Sequence, residues 1–489
     1  MKYKIPPIVS QITEVLIRAG FDAYLVGGCV RDLLLNNKPK DWDIATNAKP
    51  EQTQGLFERT VYENKFGTVA VITNSKDPIL KVIEITPYRL ESKYSDKRHP
   101  DFVSFTNNIE DDLKRRDFTI NAMAIDMKAK THEIIDLFEG QKDLKNKIIR
   151  TVGNSGDRFN EDALRILRAV RFASELGFTI NQETMQALKK QAHLLEMIAK
   201  ERINDEFSKI LMSDNSDKAL EVMHETGILK HIIPELEKGI GIKQNKDHKY
   251  EVWEHGIKAF MHAVKNNYSL EVRTASLFHD IGKPHARRWS KEKNDWTFYG
   301  HDVIGAKMAV KILSRLKYSK KFTELVAKLV RYHMFFSDTD KITLSAVRRT
   351  VRNVGKENVW DLMRVRFADR IGMGRPKETP YRLRKYESMI EEAMRAPLSV
   401  SMLKIDGNKI MEILKIPPGP KIGFVLNILL EEALDDPKKN TKKWLEQRVK
   451  ELGNLNDKDL EKISQKAKET KFRLEETEIK KIRKKYWVK

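Results

Sequence analysis

The sequence predicts a multidomain protein in which an α/β domain is followed by mainly α-helical domains. The chain has 489 residues, more than one hydrophobic core usually holds, and a prior of about 150 residues per domain indicates two to four domains. Short apolar runs alternate with helical stretches over residues 1–140. Beyond residue 140, apolar positions recur every three or four residues, as they do in helices with one buried face.

The composition indicates a polyanionic partner and a reducing compartment. Lys and Arg number 91 against 70 Asp and Glu, for a formal net charge of +21. Such an excess attracts nucleic acid or phosphate-rich ligands, although many of these charges would equally suit solvated helix surfaces. The single cysteine, Cys29, cannot form an internal disulfide. Neither a signal peptide nor a run of about 18 apolar residues is present, so we expect a cytoplasmic protein without a membrane segment.

The α/β region, residues 1–140, opens with a strand, a glycine turn and a helix. Four apolar runs predict strands: "AYLVGG", "GTVAVIT", "KVIEITPY" and "THEIIDL". Gly27 and Gly28 follow the first of them, and "VRDLLL" begins a helix whose free N–H groups face the turn. Such a turn can hold phosphate, and Arg31 adds a guanidinium for phosphate oxygens. Many Gly-Gly pairs, however, are only turns.

A pair of carboxylates follows this turn in "KDWDIAT". On a strand, Asp41 and Asp43 project to the same face and Trp42 to the other. Two carboxylates on one face suit Mg²⁺, which keeps waters and substrate phosphate oxygens as its other ligands. Alone, the pair would more often be an ordinary surface feature. Next to a phosphate turn, it indicates nucleotidyl transfer assisted by divalent metal.

The motifs of the first 211 residues resemble a known family. The segment "GGCVRDLLL…KDWDIAT" resembles the first motif of the polymerase-β-like nucleotidyltransferase superfamily. Four later segments resemble, in order, the other motifs of class II CCA-adding enzymes, the tRNA nucleotidyltransferases: "RRDFTINAMA" (115–124), "DLFEGQKDL" (136–144), "RFNEDALRILRAVRFA" (158–173) and "ERINDEFSKIL" (201–211). The resemblance implies a polymerase-β-like head with a small mixed sheet, followed by a helical neck over residues 141–240, an HD-containing body and a tail.

The resemblance also implies an activity and roles for particular residues. It implies addition of C, C and A to the tRNA 3′ end from CTP and ATP, with Mg²⁺ held by the catalytic residues Asp41 and Asp43. The head and the helical domains would hold the acceptor arm of tRNA by its shape and phosphate charge. The residues implied to contact the nucleotide are Gly28, Arg31, Arg116, Asp162, Arg165, Arg168 and Arg171, and Asn121 is a candidate for the ribose.

A row of charged residues in "EDALRILRAVR" offers a means of choosing the base. Asp162, Arg165, Arg168 and Arg171 recur at every third position, which predicts a slowly winding row on one helix. Cytosine and adenine both present an amine beside an unprotonated ring nitrogen, and an acid can accept from the amine while a guanidinium donates to the nitrogen. The resemblance assigns this task to Asp162 and Arg165. A simple ion pair between these two side chains is the structural alternative.

The segment between the first two motifs bears on which reaction is catalysed. Residues 88–105, "YRLESKYSDKRHPDFVSF", resemble the flexible loop of enzymes that add the terminal A as well as both Cs. Complete CCA addition is therefore the main hypothesis. Poly(A) polymerase or A-only addition is the nearest alternative, and a noncatalytic RNA-binding protein is a more distant one.

A second group of metal-binding residue types lies between residues 241 and 396. His255, His279, Asp280, His301, His333 and Asp369 occur in segments such as "LFHDIGKP", which resemble HD-domain phosphohydrolases. Imidazole and carboxylate ligands suit Mn, Fe, Ni, Co or Zn, with Mg also possible, and six ligands would suffice for two ions. Isolated histidines are more often core residues.

Two questions about this second group stay open at the level of the sequence. Arg287 and Arg288 would either hold a substrate phosphate or face solvent. The main activity of the chain would be phosphohydrolysis if the head were a degenerate nucleotide binder, and this is the alternative of another class.

The C-terminal region, residues 397–489, is predicted to be a basic helical tail. The sequence "PPGP" separates two apolar-periodic segments, as expected between helices. The Lys-rich end "KKIRKKYWVK" is a candidate tRNA contact, or a solvated helix end.

Overall fold

The computed structural model describes residues 3–62, 67–91, 103–129, 132–245, 249–335, 342–395 and 400–488. Contacts divide the chain into two compact units, Met1–His333 with Arg364–Pro376, and Met334–Met363 with Lys377–Lys489. The domain limits given above stay a prediction. Within the described ranges, no helix is long and apolar enough to cross a membrane.

The N-terminal region is a seven-stranded mixed sheet with flanking helices, as the fold prediction requires. Its strands are β1 (Tyr24–Val26), β2 (Asp43–Thr46), β3 (Thr60–Tyr62), β4 (Val69–Ile72), β5 (Val82–Pro87), β8 (Met123–Asp126) and β9 (Ile134–Asp136), while β6 (Arg89–Glu91) and β7 (Val103–Phe105) form a separate pair. The helices are α1 (Pro7–Arg18), α2 (Gly28–Leu34), α3 (Pro50–Leu56), α4 (Ile109–Lys114) and α5 (Gly140–Asn146). All four predicted strands are confirmed.

The order of the strands places the site residues at the middle of the sheet. The order is β3-β4-β5-β2-β1-β8-β9, in which β2 and β5 are parallel and the other pairs antiparallel. Strand β1 ends at the glycine turn, and its last residue, Val26, pairs with Asp43 of β2. A buried cluster that includes Val26, Ala45, Tyr88 and Leu113 supports these two strands.

The neck is helical except for one short strand pair. Its helices are α6 (Ser155–Glu161), α7 (Leu164–Leu176), α8 (Gln182–Gln191), α9 (Lys200–Met212), α10 (Ser216–Glu225), α11 (Ile228–Ile232) and α12 (Pro234–Glu237). The prediction of an all-helical neck missed two strands of two residues each, β10 (Ile148–Ile149) and β11 (Thr179–Ile180), which pair in parallel. This pairing joins segments far apart in sequence, which local periodicity cannot indicate.

The prediction that Asp162 shares one helix with the three arginines is wrong. Helix α6 ends at Glu161 and α7 begins at Leu164, and Asp162 between them is extended, with φ −133° and ψ 105°. The physical reason is that the Asp162 carboxylate accepts from the backbone N–H of Leu164 at 3.0 Å, which favours a new helix start over continuation. Arg165, Arg168 and Arg171 all lie on α7.

The following region is also mainly helical and contains one hairpin. Its elements are α13 (Val252–Lys265), α14 (Leu270–Phe278), α15 (Lys283–Ala286), β12 (Arg288–Ser290), β13 (Asp295–Thr297), α16 (His301–Arg315), α17 (Lys320–Tyr332), α18 (Leu344–Val354) and α19 (Val359–Gly372). A side chain at Gly282 would place its Cβ 2.2 Å from the carbonyl oxygen of His301, so only glycine permits this close approach of the two segments.

The C-terminal unit contains a helical core of its own. Its remaining helices are α20 (Tyr381–Met394), α21 (Gly407–Leu414), α22 (Pro420–Asp435), α23 (Lys442–Gly453) and α24 (Asp457–Lys485). The predicted break at "PPGP" is confirmed, because Pro420 is the first residue of α22. Fully buried Ile410, Leu429, Leu445 and Leu460 bring four of these helices together, and Arg448 pairs with Glu432 at 2.7 Å.

Candidate functional site

The glycine turn of the head is the point where the predicted nucleotide-binding residues meet. Gly27 has φ 75° and ψ −134°, a conformation essentially confined to glycine. A Cβ at Gly27 would lie 2.9 Å from a guanidinium nitrogen of Arg116 and 3.5 Å from Asp43 Oδ2. At Gly28 it would lie 3.6 Å from Asp41 Oδ1 and 3.7 Å from Arg31. The turn is thus in direct reach of both carboxylates and of two arginines.

The carboxylate pair lies at the glycine turn, although only Asp43 is on the strand that was predicted to carry both acids. Asp43 begins β2 and Asp41 precedes it, while the Trp42 side chain is buried. Burial, and then the negative charge of Asp41, raise the pKa of Asp43 to about 7, against the opposing effect of Arg116. A buried acid beside another acid is stabilised in its charged form by a cation, so these two residues fit a divalent metal.

Four arginines surround the carboxylates, and each is oriented by an acid. Arg31 contacts Asp32 at 2.8 Å and donates to the side-chain oxygen of Asn121 at 3.0 Å. The other three acidic contacts are Arg116 with Asp112 at 2.9 Å, Arg168 with Asp117 at 2.6 Å, and Arg171 with Glu206 at 3.2 Å. These ion pairs fix the guanidinium groups before any ligand arrives.

A cavity of about 490 Å³ collects these groups. Its lining includes the predicted Gly27, Gly28, Arg31, Asp41, Asp43, Arg116, Asn121, Arg168 and Arg171, together with Asp32, Lys40, Asp117, Phe172, Glu175 and Lys209, for which no role was predicted. The size and the concentration of cations beside an acid pair suit a nucleoside triphosphate with its metal.

Two of the residues without a predicted role have clear structural effects. Burial opposes the charge on Asp117, but Arg168 and Arg165 lower its pKa to about 2, so it holds Arg168 as a carboxylate. The ring of Phe172 packs against three arginines. Its centroid lies 5.4, 5.2 and 4.4 Å from the guanidinium carbons of Arg31, Arg168 and Arg171. The sequence "RRD" at the start of the second motif could have indicated a role for Asp117, because this acid directly follows two arginines. No sequence pattern indicated the position of Phe172.

Asp162 and Arg165 are not among the residues that line this cavity, and both contact other protein groups. Arg202 holds the Asp162 carboxylate with two hydrogen bonds, of 3.2 and 2.8 Å. Arg165 pairs with Glu161 at 2.6 Å and donates to the carbonyl of Arg115 at 2.9 Å. The alternative of an Asp162–Arg165 ion pair is therefore not the arrangement seen among the described residues, and the base-reading role stays a prediction.

The six residues of the second predicted site converge in one buried cluster. They form two groups, His255 with His279 and Asp369, and Asp280 with His301 and His333, in each of which the candidate ligand atoms lie within 4.8 Å of one another. Asp280 links the groups: its Oδ2 is 3.1 Å from His255 Nε2 and 3.2 Å from His279 Nε2, and its Oδ1 is 3.2 Å from His301 Nε2.

The histidines of this cluster are oriented as metal ligands usually are. The Nδ1 atoms of His279, His301 and His333 lie 2.8, 2.7 and 2.7 Å from backbone carbonyl oxygens. Each Nδ1–H therefore donates to the backbone, and each Nε2 faces the centre of the cluster as a possible ligand. Burial and the neighbouring histidine lower the pKa of His333 to about 3, which keeps this ring neutral.

Two cations outside the predicted set hold the acidic ligands. Lys283 Nζ lies 2.6 Å from Asp280 Oδ2, and Arg366 lies 2.5 Å from Asp369 Oδ2. Burial opposes the charge of Asp280, but His279 and Lys283 hold its pKa well below the usual range. A pair of carboxylates among imidazole nitrogens suits divalent transition metals. Both cations were marked by local spacing, because each lies three residues from the acid that it contacts.

The fold and the site define a template-independent class of nucleotidyltransferase joined to an HD domain. Family models agree: the poly A polymerase head domain matches residues 23–150, the probable RNA and SrmB-binding site of polymerase A matches residues 177–240, and the HD domain matches residues 252–374. A CCA-adding enzyme of Lactococcus lactis is 32% identical over 448 residues, which are 90% of this chain and 96% of the relative. The chain therefore belongs to the CCA-adding enzyme family.

Other relatives match part of the chain more closely. The CCA-adding enzyme of Ligilactobacillus salivarius is 49% identical over 226 residues, 46% of this chain and 53% of the relative, so the match spans about half the length of that protein. Among solved structures, the Bacillus stearothermophilus CCA-adding enzyme in complex with CTP is 28% identical with a TM-score of 0.58, covering 91% of this chain and 98% of that one. A Thermotoga maritima CCA-adding enzyme complexed with tRNA, at 21% identity and TM-score 0.52, covers 92% and 97% and supports the fold.

Proposed function

We propose that this protein adds C, C and A to the 3′ end of tRNA, using CTP and ATP and no nucleic-acid template. The observation that carries the proposal is the glycine turn of residues 27 and 28 in direct reach of the Asp41 and Asp43 carboxylates. In the reaction, the 3′-hydroxyl oxygen of the tRNA bonds to the α-phosphorus of the nucleotide, the bond to the β-phosphate oxygen breaks, and pyrophosphate leaves. The relatives and solved structures named above support this assignment, since they are CCA-adding enzymes.

The residues of the head divide this task between them. Asp41 and Asp43 would hold Mg²⁺, which when bound lowers the pKa of the attacking hydroxyl and neutralises the triphosphate. The turn at Gly28 with Arg31 and Arg116 binds phosphate oxygens, and their fixed positions reduce the entropy lost on binding. Arg168 and Arg171 line the same cavity and are assigned to the sugar and phosphates.

Base selection is assigned to Asp162 and Arg165. The Asp162 carboxylate accepts from the exocyclic amine of C or A, and Arg165 donates to the ring nitrogen beside it. In the structure, Asp162 pairs with Arg202 and Arg165 pairs with Glu161. Base selection therefore requires an exchange of partners, in which Arg202 releases one oxygen of Asp162 and Glu161 releases one edge of the Arg165 guanidinium. U and G would present an acceptor and a donor instead and leave both groups unpaired.

Complete CCA addition is favoured over A-only or poly(A) addition by the segment at residues 88–105. Its two ends form the strand pair β6 and β7, in which Arg89 pairs with Phe105. Residues 92–102 lie outside the described residues, so the argument for the full loop rests on the sequence. The body and the basic tail are proposed to hold the tRNA acceptor arm through phosphate charge and helix shape, in the cytoplasm.

An incorporation assay tests the proposal directly. The protein is incubated with Mg²⁺, each labelled nucleotide in turn, and tRNA that lacks its last three nucleotides. We expect C and A incorporation, no U or G, and a product that stops at the third added position. Unlimited A addition to arbitrary RNA would identify a poly(A) polymerase, and salt-sensitive tRNA binding with no product would identify a noncatalytic RNA-binding protein.

A second activity, metal-dependent phosphohydrolysis, is favoured by the two ligand groups that share Asp280. His255, His279 and Asp369 would hold one ion and Asp280, His301 and His333 the other. A bound pair of ions supplies an activated water and charge stabilisation for phosphoester cleavage. The ligand chemistry favours Mn, Fe, Co, Ni or Zn. Elemental analysis of the purified protein is expected to give up to two transition metal ions per chain, and none after substitution of His279 and Asp280.

A further inference from the structure

A basic and aromatic hairpin connects two parts of the HD cluster along the chain. It comprises residues 287–299 and is defined by strands β12 and β13, in which Trp289 pairs with Trp296. It begins after α15, which starts at Lys283, and ends just before α16, which starts at the candidate ligand His301. In the chain, the hairpin therefore lies between Lys283, which contacts Asp280, and the candidate ligand His301.

The hairpin exposes aromatic side chains that its own fold does not require. The Trp289 residue is 51% exposed and Tyr299 is 73% exposed. Trp289 and Trp296 meet edge to face, with ring centroids 5.2 Å apart and an interplanar angle of 78°, so Trp296 holds the Trp289 ring in position. Exposed, positioned aromatic rings of this size are typical of surfaces that stack the bases of single-stranded nucleic acid.

Cations accompany these rings. The guanidinium of Arg287 lies 3.6 Å from the centroid of Trp296, and Lys293 donates to the Tyr299 hydroxyl at 2.6 Å. The segment contains four cations, Arg287, Arg288, Lys291 and Lys293, against two acids, Glu292 and Asp295. Stacking surfaces interleaved with positive charge attract single-stranded nucleic acid, because the rings stack on bases and the cations attract the phosphodiester backbone.

The C-terminal end of the hairpin is joined to the candidate metal ligands through Phe298. The carbonyl oxygen of Phe298 accepts from His301 Nδ1 at 2.7 Å. Its buried ring lies 5.6 Å from the ammonium of Lys283, and that ammonium contacts Asp280. An RNA chain bound at Tyr299 is therefore next to Phe298, the residue whose carbonyl oxygen orients His301.

From this arrangement, we propose that the hairpin stacks the terminal bases of a single-stranded RNA end and presents its phosphate to the HD cluster. The substrate class of the second site is then a phosphorylated RNA 3′ end, and free small phosphoesters are poor substrates. The inference rests on the proposed phosphohydrolase function, but binding to the hairpin is measurable without turnover. Arg287 and Arg288 belong to this surface, and so do not merely face solvent.

Photocrosslinking tests the binding step independently of hydrolysis. The full-length protein is irradiated with a trinucleotide that contains 4-thiouridine and a 3′-phosphate, and the crosslinked peptides are identified by mass spectrometry. We expect crosslinks to peptides containing Trp289 and Tyr299, which excess unlabelled trinucleotide removes. Crosslinks confined to the head, neck and tail, or stronger binding of the hairpin to anionic lipid vesicles than to the trinucleotide, would overturn the proposal.

Kinetics test the link between the hairpin and the HD cluster. For Trp289→Ala and Tyr299→Ala, the KM for the 3′-phosphorylated trinucleotide should rise about tenfold relative to the KM for glycerol 2-phosphate, within the range for loss of one stacked base, with kcat little changed. Trp289→Phe should restore the KM, and Tyr62→Ala, which removes an exposed aromatic ring of strand β3, serves as the matched control. Equal changes for both substrates contradict the proposal. If the unmodified protein hydrolyses neither substrate faster than His279→Ala does, that result would instead reject the phosphohydrolase function alone.

Discussion

The head and the HD cluster both gather acidic side chains, but they differ in what surrounds them. In the head, Asp41 and Asp43 border an open cavity of about 490 Å³ lined by arginine and lysine. In the HD cluster, the acids lie among four buried histidines, and the small cavity that borders Asp280 has a volume of about 20 Å³. The acids of the head thus face an open pocket lined by cations, whereas the acids of the cluster are enclosed by buried imidazole rings.

The ligand atoms show the same difference. The pKa of Asp43 is raised to about 7 by burial and by Asp41. The repulsion between the two carboxylates is therefore not fully compensated until a cation binds. In the cluster, the Asp280 and Asp369 pKa values are held low despite burial, by His279 and Lys283 and by Arg366 respectively. Protein cations already stabilise these acids. The charge of the cluster acids is therefore compensated by neighbouring protein groups, whereas the charge of Asp43 is compensated only in part.

The largest effect is expected when each site is inactivated in turn. Asp41→Asn should reduce nucleotide incorporation by about 10³-fold or more, because metal charge stabilisation contributes several kcal/mol, while metal-dependent phosphohydrolysis persists. His279→Ala should do the reverse. Both activities are measured on the same preparations, with the metal content determined for each. Loss of both activities in either variant, with the fold intact, would refute two independent centres.

The two sites were also predictable to different degrees from the sequence. The glycine turn and the Asp41–Asp43 pair depend on patterns that are local in the chain, and the structure brings both acids to the turn, although Asp41 precedes the strand. The HD ligands occur in motifs that were recognisable by their order. Local pattern reasoning failed at Asp162, where a side-chain hydrogen bond to the Leu164 backbone interrupts the expected helix.

Long-range partners explain most of what the sequence could not indicate. Arg202 reaches Asp162 across 40 residues, Arg168 reaches Asp117 across 51, and Arg171 reaches Glu206 across 35. Each of these ion pairs depends on how α7 packs against α9 and the head, and neither spacing nor composition determines that packing. The row of arginines on α7 suggested either a bound nucleotide or an ion pair within the row, yet each arginine has an acidic partner from outside it.

Base selection should show the next largest effect. Asp162→Asn exchanges one acceptor oxygen for a donor, and so should reduce discrimination of C over U by about 5- to 150-fold, the equivalent of about 1–3 kcal/mol for one base contact. The measurement is kcat/KM for single incorporation of CTP and UTP. Asp157→Asn removes the same charge from an exposed position on α6 and should leave the ratio unchanged. An unaltered ratio in Asp162→Asn would limit this residue to pairing with Arg202.

A smaller effect is expected from pH on Mg²⁺ binding in the head. Asp43 binds metal as the carboxylate, and its pKa of about 7 in the free protein means that metal and proton compete below that value. The Mg²⁺ affinity should therefore fall by up to about tenfold per pH unit as the pH drops below about 7, and level off above it. Calorimetric titration in buffers of different ionisation enthalpy also measures the released proton. Asp43→Asn should abolish this proton release, and a pH-independent affinity in the unmodified protein would contradict the linkage.

The smallest expected effect concerns folding of the head and separates the two glycines of the turn. Gly27→Ala should lower the free energy of unfolding by about 1–3 kcal/mol, because its backbone conformation is strained for any residue with a Cβ. Gly28→Ala is the matched control: Gly28 begins α2, and its Cβ would make only ordinary contacts, at 3.6 and 3.7 Å. We expect no destabilisation there and a raised KM for the nucleotide, because the added methyl group lies between the turn and Asp41. Equal thermal shifts for both variants would show that the turn is not constrained by the conformation of Gly27.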